Sequence, residues 1–197
     1  VIKNLSFNVE NNEKIGVVGR TGSGKSTLIL VLTRLLEIKN NGNSKIEIDN
    51  IDISKINIGY LRSKIKVIPQ DSYIIKGTIR LNLDPFNKFK DISLIEVLEK
   101  CYLLDEKFSN NKKDSNDIII NTEVDNNEKI EQWKQSVLNY EIEENGNNLS
   151  MGEKQLICIA RALLDKPKII LLDEATSNID HYTDKKIQKI FNSEFIN

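Results

Sequence analysis

The sequence predicts an α/β fold with a mostly parallel core sheet, an antiparallel β portion and a helical portion. Three observations predict it. The first is Gly19-Arg20-Thr21-Gly22-Ser23-Gly24-Lys25-Ser26-Thr27, a G-x-x-x-x-G-K-S phosphate-binding pattern set between an apolar run and a helical run. The second is Ile169-Ile170-Leu171-Leu172, four apolar residues that end on Asp173-Glu174. The third is Ile65 to Ile68, a short apolar run stopped by Pro69. Short apolar runs separated by helix-period segments fit strands of a parallel sheet covered on both faces.

Taken in order, Leu5, Phe7 and Val9 alternate with Ser6, Asn8 and Glu10. That predicts a half-buried strand turning at Asn11-Asn12. Lys14 to Gly19 is predicted as a fully buried strand. A helix should follow from Ser26 to Glu37, with Leu28, Val31, Leu32, Leu35 and Leu36 as its apolar face. Asn40 to Asn43 reads as a loop. Between Lys45 and Ile53, Ile46, Ile48, Ile51 and Ile53 alternate with polar residues, an antiparallel pair. Ile58 to Lys64 is a short helix and Ile65 to Ile68 a strand. Gln70 follows at the C-terminal end of that strand, where sites of open α/β sheets gather.

Gly77 to Phe86 reads as a loop or short helix. Ser93 to Leu104 reads as a helix with Leu94, Val97, Leu98, Cys101 and Tyr102 on one face. From Asp105 to about Asn127, Asn, Lys, Asp and Ser dominate, which predicts a mobile surface insertion. Glu128 to Tyr140 should recover a short helix, with Trp133 as a packing anchor. Ser150 and Glu153 have the spacing of a capping box. Leu156, Ile159, Ala160, Leu163 and Leu164 form the buried face of the helix it opens, and Cys158 lies off that stripe. Pro167 ends the segment. A strand over Lys168 to Leu172 and a helix from His181 to Phe191 complete the chain. His181 is expected at the surface near that helix's start.

Composition narrows the function classes. The chain has 197 residues, 39% hydrophobic and 29% charged, which suits one soluble domain with room for a core. Its 28 basic and 29 acidic residues leave a net charge of −1, so no broad basic field draws it to nucleic acid. No apolar run approaches the roughly 20 residues of a membrane span, and no signal peptide is visible. Cys101 and Cys158 share no metal-ligand spacing, and reduced thiols are the expectation. The first residue is Val1 and the only Met is Met151, so the chain is expected to be a piece of something longer.

The chemistry concentrates at two stretches. In Gly19–Thr27 the glycines let the backbone bend around an anion, and the following helix adds free N–H groups and the positive end of its dipole. Lys25 is a cation for β- and γ-phosphates, Ser26 a hydroxyl for Mg²⁺, and Thr27 a donor near the α-phosphate. At the tip of the second strand, Asp173 can hold Mg²⁺ through water. Glu174, one residue on, can polarise a water aimed at the γ-phosphate.

Four stretches fall in order: Gly19–Thr27, Gln70, Leu149-Ser150-Met151-Gly152-Glu153-Lys154-Gln155, and Asp173-Glu174-Ala175-Thr176-Ser177-Asn178-Ile179-Asp180. That order resembles the ATP-binding cassette (ABC) ATPase, with its P-loop, Q-loop, signature, Walker B and D-loop. The resemblance covers most of the chain, apart from about Asp105–Lys134. Gly77-Thr78-Ile79-Arg80-Leu81-Asn82-Leu83-Asp84-Pro85-Phe86, with Lys14–Ser26 and Glu144-Asn145-Gly146, narrows it. It is similar to the second nucleotide-binding domain of multidrug-resistance-associated transporters, whose subfamily includes the sulfonylurea receptors and the cystic fibrosis chloride channel.

The resemblance implies a P-loop NTPase cassette over 1–197. It carries an antiparallel β subdomain, a helical signature subdomain over about 71–165, and the insertion at about 105–134. It implies ATP and Mg²⁺, with Ser26, Gln70 and Asp173 toward the metal and Glu174, Lys25 and Gln70 in catalysis. It implies a head-to-tail partner domain, membrane domains of a parent transporter, and a place on the cytoplasmic face of a membrane. ATP would lie between one domain's P-loop and the partner's Leu149–Glu153 stretch, with Ser177, Asn178, Ile179 and Asp180 touching the partner. Gln70 would relay nucleotide state to the membrane domains.

Departures from the pattern bear on turnover. Met151 stands for the first Gly of the usual Leu-Ser-Gly-Gly-Gln, and Glu153 for the Gln. A side chain at 151 restricts backbone approach, and Glu153 either brings negative charge near a phosphate or serves as a helix cap. The composite site using Ser150 is expected to turn over poorly, and the site on this chain's own P-loop to be the hydrolytic one. The family's adenine-stacking aromatic and switch His fall outside this chain, which by itself is expected to bind ATP weakly. An exporter motor is the leading reading. A nucleotide-binding module gating a channel or receptor is the alternative, separable by substrate flux against ion current. A soluble ABC protein of translation or DNA repair fits less well, given Gly77–Phe86 and the lack of a basic field.

Overall fold

The two apolar runs at Ile65 and Ile169 pair with each other. They lie parallel, in register from Ile65 opposite Ile169 to Ile68 opposite Leu172. The structure, a computed structural model, describes residues 2–3, 5–38, 44–104 and 132–194. In chain order its elements begin with α1 (Lys25–Leu32), β1 (Glu47–Ile48), β2 (Ile51–Asp52), α2 (Ile58–Lys64), β3 (Ile65–Ile68), β4 (Gly77–Thr78), α3 (Ile79–Leu83) and α4 (Asp91–Lys100). Then come α5 (132–138), β5 (Glu141–Ile142), α6 (Met151–Asp165), β6 (Ile169–Leu172) and α7 (His181–Glu194). The predicted insertion lies outside the described residues up to position 131.

Local chemistry accounts for the bounds. β1 and β2 form an antiparallel hairpin whose turn, Asp49-Asn50, has φ of 51° and 63°. Both central residues of a type I′ turn need positive φ, which Asp and Asn tolerate. The Asn57 side chain accepts from the N–H groups of Gly59 and Tyr60 and so starts α2. Pro69 stops β3. At the end of α6, Lys166 takes a left-handed conformation before Pro167.

The larger core gathers around α6. Ile157, Ile159, Ala160 and Ala162 are fully buried, against Ile79 of α3, Leu94 and Leu98 of α4, Val137 and Leu138 of α5, and Ile187 of α7. Trp133 packs on its margin. A smaller core of Ile53, Leu61 and Ile65 sits under the β1–β2 hairpin. Two predicted faces need correction. α6 is buried on nearly every side, so Cys158 lies inside as well, as expected of a helix enclosed by others. α4 ends at Lys100, and Tyr102 takes φ 55° past that end, which turns it outward while Leu94, Val97, Leu98 and Cys101 stay buried.

The N-terminal part departs most from the sequence reading. Residues 5–19 form no strand among the described residues. Leu5, Phe7, Val9, Ile15 and Val17 are about half exposed, and Val18 is 97% exposed. Alternation and apolar runs specify a tendency to extend, but a ladder needs a partner edge, which is a non-local choice. This segment is held instead at Lys14, whose ammonium donates to Phe191 O at 3.2 Å and Asn192 Oδ1 at 2.9 Å. The helix predicted to reach Glu37 stops at Leu32. Arg62 takes the carbonyls of Thr33 and Arg34, each at 3.0 Å, and Arg34 itself adopts φ 51° and donates to Ile53 O and Ile56 O. Leu35 and Leu36 are left exposed, and α1 buries no residue.

Candidate functional site

The parallel pair brings three of the sequence-marked residues to one end. Pro69-Gln70 leaves the C-terminal tip of β3. Asp173 and Glu174 leave the tip of β6, where Asp173 N–H extends the ladder by donating to Ile68 O at 3.0 Å. Gly19–Thr27 meets them there. Ser26 Oγ donates to Asp173 Oδ1 at 3.2 Å, across 147 residues of sequence. Lys25 Nζ donates to Gly19 O at 2.8 Å and lies 3.6 Å from Glu174 Oε1. One ammonium thus closes its own loop and faces the acid.

The loop is shaped for an anion. Gly24 occupies the N-cap position of α1 with φ 105°, which strains any residue with a Cβ. No side chain caps this helix and no acid lies in its first turn, so its leading N–H groups and dipole end stay open. Arg20, Thr21 and Ser23 are exposed around the loop, and Thr27 is half-buried on α1. The Ser26 hydroxyl and Asp173 carboxylate are adjacent hard oxygens. They fit Mg²⁺, which takes one or two protein oxygens and fills its remaining positions with phosphate and water. Glu174 has φ 49°, an unusual backbone for a residue other than Gly or Asn, and its side chain is 51% exposed. An open cleft of about 530 Å³ lies beside it, lined by Lys14, Thr176, Ser177 and Gln188 among others.

Gln70 is exposed, and its Nε2 points to Ser177 Oγ at 3.4 Å rather than to Ser26 or Asp173. Ser177 and Asn178 are exposed, and Ile179 packs on the main core. Asp180 starts α7, accepting from the N–H groups of Tyr182 and Thr183 at 3.0 Å each. Those bonds, Thr183's first, hold its carboxyl below the usual carboxylate range. His181 is exposed at the start of α7.

The Leu149–Glu153 stretch sits elsewhere. Leu149 is buried, Ser150 is exposed, and Met151 projects outward at 44% exposure. Ser150 Oγ accepts from Glu153 N–H at 3.1 Å, and Glu153 Oε2 accepts from Ser150 N–H at 2.6 Å, the complete capping box. Gly152 is pressed against α7, where a Cβ would come within 2.6 Å of Thr183 Cγ2. Leu149, Ser150, Met151 and Gly152 make no hydrogen bond to Gly19–Thr27 among the described residues.

The sequence named Gln155 only as the last residue of the Leu149–Gln155 stretch, with no role, and did not single out Arg161. Both are polar residues of α6 whose side chains grip the segment after β3. Gln155 donates to Pro69 O at 3.2 Å, and Arg161 donates to Tyr73 O at 2.6 Å and Asn82 Oδ1 at 2.8 Å. The available signal was Gln155 four residues before Ile159, on the edge of the apolar stripe.

Residues 2–177 match the family described as ABC transporter. The ATP-dependent bile acid permease of Saccharomyces cerevisiae is 46% identical over 204 residues, covering 99% of this chain and 11% of that protein. Bile pigment transporter 1 of the same yeast is 44% identical over 197 residues, covering 99% of this chain and 12% of the relative. The putative ABC transporter C family member 15 of Arabidopsis thaliana is 44% identical over 195 residues, covering 99% and 16% respectively. The chain therefore spans about an eighth of the length of these relatives. Among the described residues no helix is long and apolar enough to cross a membrane.

Proposed function

The chain belongs to the ABC transporter family, and on that premise we propose that it is the ATP-binding and ATP-hydrolysing cassette of an exporter of the multidrug-resistance-associated type. The observation that carries this is the convergence of Lys25 and Ser26 with Glu174 and Asp173 at the tips of two parallel strands. An ammonium, a ring of open N–H groups and two acids at one point suit a transferring phosphoryl group.

Lys25 and the α1 N–H groups bind and orient the β- and γ-phosphates. Ser26 and Asp173 would hold Mg²⁺, which when bound would neutralise phosphate charge. Glu174 accepts a proton from the attacking water at its carboxylate, and its exposure leaves it reachable by that water. Gln70, two residues beyond the β3 tip, would contact Mg²⁺ or the water once nucleotide is in place.

The open face of the P-loop is completed by a second nucleotide-binding domain set head to tail, which brings its own signature helix. Ser150 of this chain serves the partner's nucleotide in return, with Asp180 and its loop at the same junction. Membrane domains of the parent protein receive the resulting motion, with the cassette on the cytoplasmic face. The transported molecules are organic anions or drugs, a reading supported by the bile-acid and bile-pigment relatives.

The test is ATP turnover by the full transporter carrying Glu174→Gln. Turnover is expected to fall about 10²–10⁴-fold with nucleotide binding retained. Undiminished hydrolysis would overturn the role of Glu174.

A further inference from the structure

Gln155 is a buried amide in an apolar helix. It is 1% exposed, and both ends of the amide are bonded. Its Nε2 donates to Pro69 O at 3.2 Å, and its Oε1 accepts from the Ser72 hydroxyl. These partners lie on either side of Gln70-Asp71. Arg161 continues the grip further along. Its guanidinium donates to the carbonyls of Tyr73 and Asn82 and to Asn82 Oδ1, while Asn82 bonds both N–H and C=O of Ile75. The segment 69–82 is therefore held along α6 through the carbonyls of Pro69, Tyr73 and Asn82 and the side chains of Ser72 and Asn82.

Gln70 sits in the middle of this arrangement but is not itself gripped. Its side chain is exposed and its one side-chain bond, to Ser177 Oγ, is long at 3.4 Å. Where its amide points depends on the segment that flanks it, and Gln155 holds that segment at the Pro69 carbonyl and at the Ser72 hydroxyl. Breaking that fastening takes from the Pro69 carbonyl and the half-buried Ser72 hydroxyl their partner on α6, so the segment between them is no longer held to that helix.

We propose that Gln155 is a positioning residue for Gln70, holding the Pro69 carbonyl before it and the Ser72 hydroxyl after it and so tying its placement to α6. This rests on the reading of Gln70 as a group that contacts the metal or the attacking water. Displacements of about 1 Å at such a group cost rate rather than binding.

The experiment is a double-mutant cycle on ATP hydrolysis by the full transporter, with Gln155→Leu, Gln70→Ala and both together, reading kcat and KM separately. Gln155→Leu is expected to lower kcat about tenfold with KM for ATP within about twofold. The double variant should be no slower than Gln70→Ala alone, because Gln155 then has nothing left to position. Additive losses, or an unchanged kcat for Gln155→Leu, overturn the proposal and leave the reading of Gln70 intact. An unchanged kcat for Gln70→Ala overturns that reading and the proposal with it. Should Gln155→Leu fail to fold, Ser72→Ala removes one of the two bonds from a half-buried position. It should lower kcat about threefold, an effect that must vanish in the Gln70→Ala background.

Discussion

Helix α1 begins behind Gly24, which has no side chain to cap it, whereas α6 begins behind Ser150, which is bonded reciprocally with Glu153. Their packing differs in the same sense. α1 buries none of its residues, and α6 buries nine of fifteen. A helix whose leading N–H groups are already satisfied can be stabilised wholly from within the fold. One whose N–H groups are left open draws part of its stability from whatever anion it meets. On the proposed function, the helix that would face phosphate is thus the weakly anchored one, and the helix that would be offered to a partner domain is the closely packed one.

The largest test of this contrast is a matched pair of truncations. Ile159→Ala in α6 is expected to cost about 2–5 kcal/mol in chemical denaturation, as for other fully buried aliphatics, and Leu28→Ala in α1 less than about 1 kcal/mol. Equal costs would erase the distinction. Next in size, Ser150→Ala removes the α6 cap and should cost about 1 kcal/mol by the same measurement. Glu153→Gln keeps the box geometry and removes the charge. Its effect on stability should be a few tenths of a kcal/mol. In the full transporter it should raise nucleotide affinity at the partner site proposed for Ser150, and an unaltered affinity would confine Glu153 to capping.

The smallest effect concerns acid. Asp91 opens α4 and binds Arg80 of α3 at 2.6 Å and Gln135 of α5 at 2.6 Å, joining three helices of the well-packed half. The bond from Arg80, then that from Gln135, holds its carboxyl below the ordinary value of 3.8. A depressed carboxylate stabilises the fold above its unfolded pKa and loses that contribution as pH falls through the folded one. Asp91→Asn should therefore be less stable than the parent at neutral pH, and the gap should close below about pH 4 in denaturation curves taken across pH. A gap that persists in acid would mean that the carboxylate's charge is not what joins the helices.

Elements governed by local chemistry were legible in the sequence. α2 and β3 have the bounds read for them, because Asn57 and Pro69 mark their ends. The Ser150–Glu153 box and the final strand likewise follow from spacing alone. What escaped depended on distant partners. Nothing within Ser26–Glu37 announces that Arg62 will take the carbonyls of Thr33 and Arg34 and end α1 early. The run at 14–19 carries strand propensity but does not specify an edge to join. At the site, the motif residues could be named from order and spacing. The Ser26–Asp173 and Lys25–Glu174 approaches are tertiary facts, and so is the aim of Gln70 toward Ser177. Gln155 was hidden for a related reason: a polar residue beside an apolar stripe looks like a solvated one until its neighbours are known.

The clamp on the far end of α1 has a mechanical side. Eight residues make a rod of about 12 Å. Arg34 fixes one end to the 53–56 segment after β2, and Arg62 fixes it to α2. The other end is the phosphate loop, held by Lys25, Ser26 and little else. A rod hinged at one end turns small angles into travel at its tip, and a swing of about 10° would carry the loop about 2 Å, enough to break a hydrogen bond. Thermal motion along α1 should therefore grow toward Gly24, and nucleotide would act as the stop at the free end of the lever.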